Sequence, residues 1–176
     1  MQISRTLEMN HRLVGRPELS WAVSRGSLLE VSVSVSVHSI LLPLDGSPIA
    51  EQALPWAVEL ADRYSAQLIL LRVAPRPEFW SPLDAPDTYL DEQETRAMKY
   101  LLGVESRLTD GKVPIQAEYS LGNPAQCILD RAKELGDCII VMNSHGRDGV
   151  SRLMLGSVAE KVARHAACPV FIVRVP

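Results

Sequence analysis

Apolar residues follow two rhythms along this chain. Ile40-Leu41-Leu42-Pro43-Leu44, Leu68-Ile69-Leu70-Leu71-Arg72-Val73, Cys138-Ile139-Ile140-Val141-Met142 and Pro169-Val170-Phe171-Ile172-Val173 are short, nearly continuous apolar runs. Runs of this length predict strands covered on both faces. Ile115 to Leu121 alternates in polarity instead, as an edge strand does. Between the strands, apolar residues return every three or four positions, the period of a helix with one buried face.

The first helix is expected after Asp45-Gly46, with Ser47 as its N-cap and Pro48 at its first position. Ile49, Ala53, Leu54, Ala57, Val58, Leu60 and Ala61 form its apolar stripe. Pro55 falls inside the stripe and predicts a kink, because its ring removes a donor and clashes one turn back. A Pro-rich loop from Pro75 to about Pro86 precedes a second helix, Asp91 to Leu108, with Met98, Leu101, Leu102 and Val104 inward. Gly122-Asn123-Pro124 opens a third helix through Leu135, burying Ile128, Leu129 and Ala132, and a fourth runs from Ser157 to about Ala166.

Strands and helices alternate, and the central strands are apolar throughout. The expected fold is therefore α/β: a doubly wound, five-stranded parallel sheet sandwiched by four helices. Ligands of such sheets bind beyond the carboxyl ends of the strands, where strand order reverses, so Asp45 and Asn143 are candidates to face each other there. Residues 1–34 add no sustained period until the alternating VSVSVSV, and the rest makes a complete domain without them. They are read as a peripheral, poorly ordered extension, with the domain spanning 35–176.

Composition narrows the function classes. With 176 residues, 47% hydrophobic and 22% charged, the chain suits one soluble domain, and a net charge of −3 argues against nucleic acid as a partner. No apolar run is long enough to span a membrane, and the first residues lack a signal-peptide core, so a cytoplasmic location is expected. Cys127, Cys138 and Cys168 are odd in number, match no metal spacing, and read as small core residues in a reducing compartment.

The candidate chemistry lies in NSHGRDGVSRLMLGS, from Asn143 to Ser157. Gly146, Gly149 and Gly156 permit φ > 0 and a close backbone approach, and Gly156-Ser157 would present N–H groups, a helix dipole and a hydroxyl to an anion. Arg147 and Arg152 would add charge. Glycines between a strand and a helix also serve simply as turn residues. Walker, dinucleotide-binding and GxSxG patterns are absent. Asp45 either accepts from ribose hydroxyls or caps its own turn, Ser47 reads as a cap rather than a nucleophile, and His145 reads as solvated. No catalytic residue and no metal ligand is assigned.

ILLPLDGSPIAEQAL and VMNSHGRDGVSRLMLGSVAEKVARHAACPVFIVR resemble the universal stress protein family, over about His38 to Arg174. Nucleotide-binding members of that family carry a glycine, two residues, a glycine, nine residues, then glycine and serine or threonine. Here Gly146, the nine residues Arg147 to Leu155, and Gly156-Ser157 match, while Asn143 replaces the first glycine. Asn tolerates φ > 0 but adds bulk, so nucleotide binding is expected to be retained and weakened.

The resemblance implies a Rossmann-like fold of the adenine nucleotide alpha hydrolase type. It also implies ATP, with or without Mg, as ligand. Pro43, Leu44, Asp45 and Val73 would lie on the adenine and ribose side; Asn143, Gly146, Arg147, Gly156, Ser157 and Val158 would surround the phosphates. It further implies a homodimer through the last strand, Val170 to Val175. The expected function is a cytoplasmic, ATP-binding stress-response switch or sensor with at most slow hydrolysis. The alternative is an interaction module of the same fold that binds no nucleotide, the reading Asn143 favours.

Overall fold

The computed structural model describes residues 36–76, 87–108, 112–144 and 155–174. The chain divides into units of residues 1–34 and 35–176, and every described residue belongs to the second. The expectations for residues 1–34, and those for Gly146, Arg147, Gly149 and Val175, lie outside the described residues.

The second unit carries five parallel strands: β1 (Ser39–Pro43), β2 (Gln67–Ala74), β3 (Ile115–Leu121), β4 (Cys138–Asn143) and β5 (Val170–Val173). Their order in the sheet is β3-β2-β1-β4-β5. Consecutive crossovers move outward from β1 to β3, then the chain returns to the other side of β1. The switch point therefore lies between β1 and β4.

The helices are α1 (Pro48–Glu51), α2 (Leu54–Tyr64), α3 (Asp87–Glu105), α4 (Pro124–Leu135) and α5 (Ser157–His165). Side chains alternate across each strand and so feed two cores. Ile40, Leu42, Leu68, Leu70 and Val141 pack with Ala57 and Ala61 of α2 and Leu101 and Val104 of α3. Leu41, Ile69, Leu71, Ile140 and Met142 pack with Ile128 and Ala132 of α4 and Val162 of α5. Each large aliphatic side chain so buried is worth about 1.5–3 kcal/mol, which is why continuous apolar runs mark the centre of the sheet.

Two expectations need correction. The kinked first helix is two helices: α1 stops at Glu51, and Pro55 sits in the opening turn of α2. Glu51 is four residues before Pro55, so its carbonyl is the one the proline ring would strike and leave without a donor. A proline in a first turn meets neither problem. Leu102 is not an inward residue of α3; it is 53% exposed. The helical period places Ala97, Leu101 and Val104 on the buried stripe, and Leu102 falls outside it.

Candidate functional site

Two turns meet at the carboxyl ends of β1 and β4. The first begins at Leu44, which is buried and donates its amide to the Leu71 carbonyl at 2.8 Å, keeping β1 and β2 paired to the end of the strand. Asp45, half-buried, accepts the Ser47 amide on Oδ1 at 2.9 Å. Ser47 Oγ then accepts the Ala50 amide at 3.1 Å, capping α1. Of the two roles open to Asp45, capping its own turn is therefore filled by Oδ1. Ser47 is a cap, as its place before Pro48 predicts.

Gly46, between them, has φ 79°. A Cβ there would be strained and would lie 3.4 Å from Arg72 Nη1. Arg72 Nη1 donates to the Leu44 carbonyl at 3.1 Å, and the guanidinium lies 5.7 Å from the centre of the Tyr100 ring. Tyr100 Oη donates to Glu51 Oε1 at 2.9 Å, and Arg107 pairs with Glu51 Oε2 at 2.7 Å. Burial, then the bond to the Glu51 carboxylate, raises the Tyr100 phenol well above its ordinary range, so it stays a donor. The Asp45 turn is thus backed by a cation and a neutral phenol that sequence reasoning did not assign. The available signal was that Arg72 is the one charge in β2, inside an apolar run from Leu68 to Ala74.

The second turn leaves β4. Asn143 is 7% exposed, and its Nδ2 donates to the Ile49 carbonyl of α1 at 3.0 Å. The side chain standing at the family's first glycine is therefore joined to the helix that follows β1, across the switch point. Asp45 and Asn143 both stand at the carboxyl side of the switch point, one after β1 and one at the end of β4. Ser144, 2% exposed, donates its amide to the Val173 carbonyl at 2.9 Å and accepts the Gly156 amide on its carbonyl at 2.7 Å. The glycine loop consequently leaves and re-enters the fold at one hydrogen bond.

At the re-entry Gly156 is the N-cap of α5 with φ −59° and ψ 149°, so its backbone needs no left-handed freedom. What remains for it is the missing side chain, which leaves the backbone approachable. Gly156 has no side chain with which to cap α5, Ser157 is exposed and Val158 half-buried. The first amides of a helix lack intrahelical acceptors, and with the dipole they favour an anion. Val73 and Val158 both border the core under α4 and α5, on the same side of the sheet, and Pro43 is half-buried at the end of β1.

These residues thus form one rim: Pro43, Leu44 and Asp45 from β1, Val73 from β2, Asn143 from β4, and Gly156, Ser157 and Val158 from α5. It offers hydrogen-bond donors at the start of α5 and an apolar margin from the valines. Among the described residues no group of three His, Cys, Asp or Glu side chains could hold a metal ion, and no helix is long and apolar enough to cross a membrane.

The same architecture recurs in known proteins. Universal stress protein YxiE of Bacillus subtilis is 33% identical over 146 residues, 78% of this chain and 99% of that protein. The structure of universal stress protein UspA from Lactobacillus plantarum is similar with a TM-score of 0.67 at 29% identity, covering 80% of this chain and 100% of that one. A universal stress protein solved in complex with cAMP has the same fold, with a TM-score of 0.59 at 21% identity, over 79% of this chain and 98% of that one. The model of the universal stress protein family matches residues 36–174. With its parallel sheet, its switch-point rim and these similarities, the chain belongs to the universal stress protein family.

Proposed function

We propose that the protein binds ATP at the rim between β1, β4 and α5, and works as a cytoplasmic, nucleotide-dependent switch or sensor in a stress response. The observation that carries this reading is the Gly156–Ser144 bond, which joins the start of α5 to the end of β4 at the switch point. A protein of this fold was solved in complex with cAMP, which makes an adenine nucleotide the ligand class to test first.

In this reading the Ser157 hydroxyl and the first amides of α5 receive phosphate oxygens, and Asp45 faces the ribose. Val73 and Val158 provide the apolar side on which a base packs. Gly146 and Arg147 belong to the same cradle by motif. When bound with ATP, Mg would neutralise phosphate charge. Among the described residues no side chain is assigned as general base or nucleophile, and the proposed role is that of a switch with at most slow hydrolysis.

Asn143 is the residue that favours an interaction module without nucleotide. Its carboxamide is engaged by the Ile49 carbonyl of α1, which supports the nucleotide reading over that alternative. Calorimetric titration with ATP, on the wild type and on Gly156→Asp, tests the proposal. The expected result is saturable binding by the wild type and at least a tenfold loss in the variant, whose carboxylate repels phosphate at the helix start. Absence of saturable heat in the wild type at millimolar ATP would refute it.

A further inference from the structure

Cys138 opens β4, and Cys168 lies two residues before β5. Their thirty-residue separation is that of the paired positions Ile140 and Val170, so the two cysteines continue the β4–β5 register backwards. Their sulfurs are 3.5 Å apart. Cys138 is 3% exposed, and its Sγ also lies 3.5 Å from the Ala132 carbonyl of α4. Cys168 is half-buried in the turn that leads into β5, between exposed Ala167 and exposed Pro169. Cys138 is thus buried in the core, and Cys168 lies nearer the surface.

We propose that Cys138 and Cys168 form an oxidative modification site for small hydroperoxides, closing reversibly to a disulfide between the starts of β4 and β5. In the first step the Cys168 sulfur attacks the terminal peroxide oxygen. An S–O bond forms, the O–O bond breaks, the leaving oxygen takes a proton, and Cys168 becomes a sulfenic acid with release of water or an alcohol. In the second step the Cys138 sulfur attacks the Cys168 sulfur. The S–S bond forms, the S–O bond breaks, and the departing hydroxide takes the Cys138 proton as water. Together the two thiols are oxidised to a disulfide, and one peroxide is reduced.

The roles follow from position. Burial, then the bond to Cys168, pushes the Cys138 thiol up to about 12; Arg131 nearby opposes this and Asp137 adds to it. Cys138 is therefore protonated and shielded at neutral pH, a poor first nucleophile, and it acts only on the sulfur held against it. A bond requires the sulfurs to close from 3.5 Å to about 2.05 Å, within reach of a side-chain rotation between adjacent strands. The closed loop would enclose the whole segment from β4 through the glycine loop and α5 to β5. Restricting that segment in the unfolded chain favours the folded one. The inference does not depend on nucleotide binding.

The test treats the reduced, native full chain with hydrogen peroxide and maps its tryptic peptides without reduction. Cys127, Cys138 and Cys168 fall on separate peptides. The expected result is loss of two hydrogen atoms from the intact mass, a Cys138–Cys168 linked peptide, unmodified Cys127, and full reversal by a thiol reductant. In Cys138→Ser the link is lost and a dimedone adduct appears on Cys168. Sulfinic acid on Cys168 without a linked peptide, a link through Cys127, or no reaction in the wild type would each overturn the proposal, whether or not the variant folds.

Discussion

Asn143 occupies the one position where this chain departs from the family's nucleotide-binding pattern. Taken alone, asparagine there means bulk beside a phosphate path. In the fold, its Nδ2 is bonded to the Ile49 carbonyl, a residue ninety-four positions away that no local pattern could name. Asn143→Gly is expected to lower stability by about 1–2 kcal/mol, from a lost hydrogen bond and a more flexible backbone. On the proposed reading ATP affinity should change less than about threefold, because the carboxamide is held by the Ile49 carbonyl of α1. Thermal melting and calorimetry on the same variant check both; a glycine variant binding tenfold tighter would show that the carboxamide does obstruct the cradle. Other residues were legible. Ser47 before Pro48 and Asn123 before Pro124 are N-caps, their side chains accepting from Ala50 and Gln126. Arg72 was not, because its partners Leu44 and Tyr100 come from different elements.

At the scale of elements, the strands were the most legible, since β1, β2 and β4 must be apolar on both faces once helices cover both. The alternation of β3 correctly marked an edge, where it pairs only with β2. Helix bounds were less so. Pro55 was visible, but whether it kinks or divides depends on whether another helix start is available, and here α2 begins at Leu54. The opposite edge of the sheet is β5, where Phe171 is 38% exposed and lies 5.6 Å from the ring of Trp56, itself 51% exposed. An apolar edge strand beside an exposed aromatic pair invites pairing with another chain. We propose on this ground that the homodimer implied by the family resemblance forms through this edge. Phe171→Glu is expected to shift the protein towards monomer in sedimentation at micromolar concentration, with an unchanged far-UV spectrum. A variant sedimenting as the wild type does would remove this edge from the interface.

For the whole molecule, alternation of strand and helix was enough to foresee a doubly wound sheet, whose switch point lies between β1 and β4. The bonds that tie the two turns in place were not legible, because they join distant elements, Asn143 to Ile49 and Gly156 to Ser144. The family match begins at residue 36, which supports the proposal that the domain is complete without residues 1–34. Their deletion is expected to leave the melting temperature within about 2 °C and ATP affinity unchanged; a fall of 10 °C or more, well over 1 kcal/mol for a domain of this size, would make VSVSVSV part of the fold. The central claim is that ATP sits on the rim shared by the Asp45 turn and the start of α5. Amide hydrogen exchange of the full chain, with and without saturating ATP, tests it most directly. Slowed exchange is predicted at Gly46, Ser47, Ser157, Val158 and Ala159, and an exchange pattern unchanged at these amides would contradict it.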